Sequence, residues 1–347
     1  MLTILFIFIG FAIFFDFMNG FHDSSNIVST MISSRALSPR QALTIVAIAE
    51  FIGPFIFGVA VAETIGTDIL QLPADAREAL PVIMAALISA VCWNVITWYF
   101  GIPSSSSHAL MGGILGAGIA ENAFQHLIIG ISTINDFYAI FDVVKIKGLL
   151  KILTALVISP PLGFVAGYFL LKLVRFLSRS ATPNINILFK KAQVVTAVGL
   201  ALSHGTNDAQ KTMGVITMGL LAAGVIPEFK VPFWVVFVSA FTIALGTSIG
   251  GWRLIKTLGG KFFKIRPVDG FTTQIGSAGV IFAATLVGGP VSTTQVVTSA
   301  IMGVGSAERL SKVRWGVGKQ IMLTWLITLP SAAGLAGIFY LIIRSIV

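Results

Sequence analysis

The residues of this chain best suited to chemistry lie inside long apolar runs. Asn19-Gly20-Phe21-His22-Asp23-Ser24-Ser25-Asn26 interrupts the apolar stretch 2–32, and Ser203-His204-Gly205-Thr206-Asn207-Asp208-Ala209-Gln210-Lys211 interrupts 192–223. A carboxylate within such a run is costly to bury and ordinarily functional. Asp23 and Asn26 lie three apart and share a helix face. Gly20 and Gly205 permit local unwinding, which would expose main-chain carbonyls beside the carboxylate and amide oxygens. Such an oxygen set suits a hard cation, so Asp23, Asn26, Asn207 and Asp208 are candidate ligands. The competing reading is a buried polar network that joins helices. The same Gly-x-x-Asp in both halves of the chain weighs against it.

A second constellation is Ser104-Ser105-Ser106-Ser107-His108 after Pro103, with Ser292-Thr293-Thr294-Gln295 following Pro290 and Val291. Ser or Thr at the start of a helix presents hydroxyls beside free main-chain N–H groups, with the positive end of the helix dipole behind them. Two such tips facing one point make a cage of donors for a tetrahedral oxyanion. For one tip alone, ordinary helix capping explains the residues as well. Recurrence of the tips beside the recurring Asp motifs favours the anion.

Other residues carry weaker signals. Glu50 has no acidic counterpart near 235–237 and fits either gating of a coupling ion or a structural pairing. Lys211 either touches the anion or offsets Asp208 three residues earlier. His22, His108 and His204 read as helix-contact residues, because no His-x-x-x-His pair exists to bind a metal.

The elements that must position these groups are membrane helices. Apolar residues make up 56% of the 347 residues, charged residues only 11%, and mean hydropathy is +0.93, whereas soluble domains carry about 25% charge. The net charge of +9 arises from scarce acids, 14 against 23 bases, which excludes a basic nucleic-acid module. The single Cys92 allows no internal disulfide. The apolar start has no basic region before it and reads as a retained first helix. Runs long enough to cross a bilayer are 2–32, 41–62, 81–101, 149–171, 192–223, 231–250, 271–289 and 320–343. The shorter segments 104–120 and 291–306 follow Gly101-Ile102-Pro103 and Gly289-Pro290, and read as second arms of hairpins that turn inside the membrane.

These segments repeat. Asp23 matches Asp208 at an offset of 185 residues, Pro103 matches Pro290 at 187, and Pro160 with Gly167 echoes Pro330 with Gly337 at 170. The first half therefore carries an insertion around 122–146, where His126, Asp136, Asp142, Lys145 and Lys147 suit an interfacial helix. The division is a first repeat over 1–175, a basic linker over 176–191 and a second repeat over 192–347. Residues 63–80 hold four acids against Arg77, a net charge of −3, while their counterparts 250–267 hold five bases and no acid, a net charge of +5. Equivalent segments of opposite bias belong on opposite faces, so the repeats are inverted, with the basic linker cytoplasmic and both termini outside. The fold class is an all-α polytopic membrane protein of two inverted repeats, each with a broken helix and a membrane-inserted helical hairpin.

With Gly20-Phe21-His22-Asp23, Gly205-Thr206-Asn207-Asp208, the two Ser/Thr tips and Gly250-Gly251-Trp252-Arg253 in place, the chain resembles the inorganic phosphate transporters (PiT), the sodium-dependent phosphate symporters, over nearly its whole length. His22 departs from that family's usual Asn. The resemblance implies import of inorganic phosphate across the plasma membrane by a homodimer, with sodium or proton coupling and no covalent cofactor. It places phosphate at Ser104–Ser107 and Ser292–Gln295, and sodium at Asp23, Asn26, Asn207 and Asp208. Glu50, His22 and Lys211 stand behind them. Two Asp residues would repel an anion in a low-dielectric site, which explains the need for cations. A sulfate permease and a proton-coupled transporter of phosphate or metal-phosphate remain as alternatives of the same design. An intramembrane serine hydrolase built on Ser107 and His108 lacks an orienting acid.

Opposite loop charge generates a topological test. With Cys92 replaced, Asp75→Cys and Lys261→Cys should be labelled by a membrane-impermeant maleimide from opposite sides. Labelling of both from one side contradicts inversion.

Overall fold

The computed structural model describes residues 2–73, 75–129 and 138–346. Among them are twelve α-helices: α1 Leu2–Ser33, α2 Pro39–Ile56, α3 Ala60–Thr67, α4 Ala76–Phe100, α5 Ser106–Ile129, α6 Ile146–Leu177, α7 Ile185–Ala222, α8 Phe233–Ile249, α9 Trp252–Gly260, α10 Pro267–Leu286, α11 Thr293–Glu308 and α12 Trp315–Ile346. Helices α1, α4, α6, α7 and α12 are each long and apolar enough to cross a membrane, as are the bent pairs α2–α3 and α8–α9 taken together. The surface fits that solvent. Val157, Phe169, Val195 and Leu326 are more than 60% exposed, an arrangement that lipid favours and water does not.

Element order is duplicated: a long helix, a bent pair, a hairpin and a second long helix occur in α1–α6 and again in α7–α12. Each bend follows a glycine of positive φ, Gly58 at 78° between α2 and α3 and Gly250 at 79° between α8 and α9. The pairs turn by 75° and 69°. Each hairpin turn begins at another such glycine, Gly101 at 66° and Gly288 at 67°, followed two residues later by the proline that cannot continue a helix.

The breaks in the spans therefore lie at the bends and the hairpins. Gly20 and Gly205 do not unwind their helices, since α1 and α7 are continuous through them. They serve close approach instead. A Cβ on Gly20 would stand 2.1 Å from the Ile243 carbonyl oxygen of α8, and one on Gly205 would stand 2.5 Å from that of Glu50 on α2. The reverse contacts pair up too: Gly246 meets the Phe17 carbonyl and Gly53 the Leu202 carbonyl. The same four-way contact is thus built twice, with α1 against α8 and α7 against α2. It fixes the register, setting Glu50 opposite Ile243 rather than opposite 235–237. Small residues at such crossings matter in a membrane, where apolar burial gives no drive for helices to associate.

Two apolar clusters sit above and below the polar motifs. Leu5, Phe8, Ala12 and Phe15 of α1 join one with Met213, Val215 and Ile216 of α7. Ile27, Val28 and Met31 of α1 join the other with Ala197, Leu200 and Ala201 of α7. The polar residues between them form a belt across the molecule. The stretch read as a linker is mostly helical: α6 ends at Leu177 and α7 begins at Ile185, leaving only 178–184 between them. Residues 122–129, assigned above to an interfacial insertion, continue α5, and Asp136 lies outside the described residues. Around the mouth of the second hairpin, Glu308 meets Arg175 at 3.0 Å and Arg266 at 2.5 Å, and also pairs with Lys312.

Adding a methyl at a helix crossing and adding one where nothing stands opposite should act oppositely. Gly205→Ala meets the α2 backbone, so detergent-solubilised protein should lose about 1–3 kcal/mol of stability. Gly199→Ala, in the same helix with nothing within 4 Å, should be neutral or gain up to about 1 kcal/mol. Thermal unfolding of the two variants checks the pair. Equal stability would remove close approach as the reason for Gly205.

Candidate functional site

Asp23 stands ten residues before the end of α1, about 15 Å along the helix axis, so its carboxylate lies well inside the fold. The hairpin tips reach that depth. Ser106 donates to Asp23 Oδ2 at 3.0 Å and Thr294 to Asp23 Oδ1 at 3.1 Å. Thr293 lies between two acceptors, 3.3 Å from Asp208 Oδ2 and 3.5 Å from Asp23 Oδ2. The tips also touch each other. Ser107 donates to the Val291 carbonyl at 3.0 Å, and Gln295 Nε2 lies 3.4 Å from His108 Nδ1. All eight tip residues, Ser104–Ser107 and Ser292–Gln295, are at most 3% exposed.

Both tips and both Asp motifs thus lie together, with distinctions among the hydroxyls. Ser105 and Ser292 are caps: their oxygens accept the His108 and Gln295 main-chain N–H groups at 3.1 and 3.3 Å. A capping oxygen keeps its own O–H to donate, so capping and anion binding are compatible. Ser104 Oγ is 2.8 Å from Thr97 Oγ1 on α4, which points it back into its own hairpin. Apart from the capped N–H groups, the first positions of α5 and α11, at Ser106, Ser107, Thr293 and Thr294, carry main-chain donors without an intrahelical partner at the same level.

The candidate cation ligands divide as well. Asp23 and Asp208 converge with His204, each bringing one ligand atom within 4.8 Å of the others. Asn26 Nδ2 donates to Thr294 Oγ1 at 2.9 Å, while its Oδ1 is buried without a hydrogen-bond partner among the described residues. Asn207 holds the second hairpin through its Nδ2, while its Oδ1, like that of Asn26, is buried without a hydrogen-bond partner among the described residues. Its Nδ2 donates to Thr285 Oγ1 at 2.9 Å and to the Gly289 carbonyl at 3.2 Å, anchoring the second hairpin. His22, at the equivalent place in α1, lies 3.4 Å from Thr97 of the first hairpin and 2.8 Å from Asp23 Oδ1. His22 and Asn207 therefore stand in the same place relative to their hairpins.

The second-tier residues are wired to the centre. Glu50 Oε1 lies 2.7 Å from His204 Nδ1, and His204 Nε2 lies 3.4 Å from Asp208 Oδ2. Lys211 Nζ is 2.5 Å from Asp208 Oδ1 and 3.2 Å from the Val291 carbonyl. The helix bends are held from the same belt. Gln210 accepts from Val61 N–H at 2.7 Å and donates to the Gly58 carbonyl at 2.8 Å, and Ser24 accepts from Gly251 N–H at 2.8 Å.

Asp16 was not among the residues singled out by sequence. It is fully buried and accepts from Thr212 of α7 at 2.8 Å. The signal for it is helical spacing: Asp16, Asn19, Asp23 and Asn26 fall at intervals of three, four and three, one polar stripe on an apolar helix. A short motif centred on Gly20 hides that stripe.

Residues 19–336 match the model of the phosphate transporter family. A "probable low-affinity inorganic phosphate transporter" of Bacillus subtilis (strain 168) is 44% identical over 347 residues, covering 99% of this chain and 98% of the relative. One of that description from Rhizobium meliloti (strain 1021) is 45% identical over 335 residues, covering 96% and 94%. A solved structure of a sodium-dependent phosphate transporter superposes with a TM-score of 0.86 at 26% identity, covering 99% of this chain and all of that one. With its matched region spanning both Asp motifs and both hairpin tips, this chain belongs to the phosphate transporter family.

Proposed function

We propose that this family member imports inorganic phosphate across the plasma membrane as a sodium symporter, holding the anion between the tips of its two hairpins. The observation that carries this reading is the meeting of Ser106, Thr293 and Thr294 with Asp23 and Asp208 between two apolar clusters. Hydroxyl and main-chain donors suit the phosphate oxygens. The carboxylates supply what a fully ionised anion would not need, acceptors for the P–O–H of a protonated phosphate. Sulfate has no proton to offer them near neutral pH, so two acceptors at the tips favour phosphate.

The same carboxylates make cation binding a condition of anion binding. Opposed negative charges in a site screened from water repel strongly, and a cation on Asp23, with Asn26 Oδ1 nearby, reverses the balance. Each ligand then raises the affinity of the other by the same factor. Inverted repeats add alternating access, with one hairpin opening outward and the other inward. The duplicated contacts of α1 with α8 and α7 with α2, and the opposite charge of their loops, support that orientation. It leaves both termini outside. A proton-driven reading has its own observation, the Glu50–His204–Asp208 chain, which offers groups able to carry a proton to the same carboxylate.

Purified protein in proteoliposomes separates these readings. Phosphate uptake should follow an imposed sodium gradient, respond weakly to a proton gradient, and exceed sulfate uptake. Uptake driven by protons alone would transfer the coupling to the His204 chain. Removing one tip hydroxyl at a time, with Thr293→Val or Thr294→Val, should in each case weaken phosphate about tenfold to a hundredfold, the worth of one charge-assisted hydrogen bond at about 1.5–3 kcal/mol. In Asp23→Asn, the tightening of phosphate binding by sodium, about 1–3 kcal/mol of coupling, should shrink toward zero. A sodium series at constant ionic strength with choline as replacement measures it.

A further inference from the structure

Lys211 is among the largest fully buried side chains of the protein, and it sets a fixed positive charge beside Asp208. Its place in the repeat explains it. The offset of 185 that relates Asp23 to Asp208 also relates Gly20 to Gly205 and Phe17 to Leu202. The paired close approaches of these residues show that the register holds in space. At that offset Lys211 occupies the position of Asn26.

The two residues do different things beside equivalent carboxylates. Asn26 offers an amide oxygen without a hydrogen-bond partner among the described residues. Lys211 brings an ammonium to Asp208 Oδ1 at 2.5 Å and to the main-chain oxygen of Val291 at 3.2 Å. A carboxylate oxygen and a main-chain carbonyl are what a hard monovalent cation would take. The ammonium has the same unit charge and satisfies the same acceptors. A single-turn salt bridge on an exposed helix would be of little consequence. This one is wholly buried, contacts the tip of the second hairpin, and stands where its counterpart is neutral.

We infer that Lys211 is a tethered cation in the second repeat's coupling-ion position, so that Asp208 takes no sodium and coupling runs through the Asp23 side alone. This rests on the sodium reading above and refines it. The chain would then move one sodium fewer per phosphate than a version with an amide at both positions. Asn207 Nδ2 is committed to Thr285 and Gly289, and no hydrogen bond joins Asn207 to Asp208.

The test is the sodium-to-phosphate flux ratio in proteoliposomes, read with radioactive sodium and phosphate, in wild type and Lys211→Asn. The variant should gain one sodium per phosphate, and its phosphate uptake should depend more steeply on sodium. A transporting variant with the wild-type ratio would overturn the inference while leaving sodium coupling intact. If wild type ignores sodium and Lys211→Asn responds to it, the sodium reading of the wild type falls and the tethered cation stands; if neither responds, both fall. Should the variant not fold, equilibrium sodium binding to purified wild type, Asp23→Asn and Asp208→Asn decides. Loss of a sodium in Asp23→Asn but not in Asp208→Asn is expected, and loss in Asp208→Asn sinks the proposal.

Discussion

Two carboxylates, Asp23 and Asp208, approach one point inside an apolar protein, and the rest of the structure depends on making that arrangement tolerable. Unpaired charges there would cost several kcal/mol each. Every nearby element supplies compensation. The hairpins carry three hydroxyls to the carboxylates, the bends in α2–α3 and α8–α9 are tied to the belt by Gln210 and Ser24, Lys211 supplies a positive partner and His204 a ring nitrogen. Glycines at the α1–α8 and α7–α2 crossings draw the backbones close enough for these short side chains to reach. A threonine hydroxyl spans about one hydrogen bond, so a shift of even an ångström at a crossing would disconnect the tip from the carboxylate.

That geometry makes the tip hydroxyls competitors. Ser106, Thr293 and Thr294 each have one proton to donate, and in this arrangement it goes to a carboxylate. On the proposed reading, a cation on Asp23 takes over lone pairs that the hydroxyls now satisfy and frees them to turn toward an anion. Cation and anion binding would then be linked through the same hydroxyl protons as well as through charge. Apolar clusters pack on either side of this polar belt.

Much of this was legible in the sequence because apolar context is so informative in a membrane chain. A carboxylate inside a run of Leu, Ile and Phe announces itself, and a Gly-Pro break with Ser or Thr after it marks a hairpin tip. The spans, both hairpins and the convergence of motifs followed from those signals. Gly20 and Gly205 were harder, since glycine permits both unwinding and close approach, and only the neighbouring helix decides between them. Glu50 was assigned the wrong opposite number because the offset between repeats drifts from 185 in α1 and α7 to 193 in α2 and α8. Asn207 read as a ligand by adjacency to Asp208, yet consecutive residues on a helix point about 100° apart. Its amide nitrogen accordingly reaches the hairpin, which adjacency alone does not reveal.

Duplication sets the frame, and the departures from it carry the individuality of this chain. Where the halves agree, at Gly20 and Gly205, Asp23 and Asp208, or Ser105 and Ser292, the residues build the scaffold of a twofold site. Where they differ, one half often holds a residue able to change or neutralise charge, as with His22 against Asn207, His204 against Asn19, Glu50 against Ile243 and Lys211 against Asn26. His22, His204 and Lys211 contact Asp23 or Asp208, and Glu50 contacts His204. A symmetric site would bind cations equally on both sides of the anion. On the proposed reading, these charged or titratable departures would bias it toward one side.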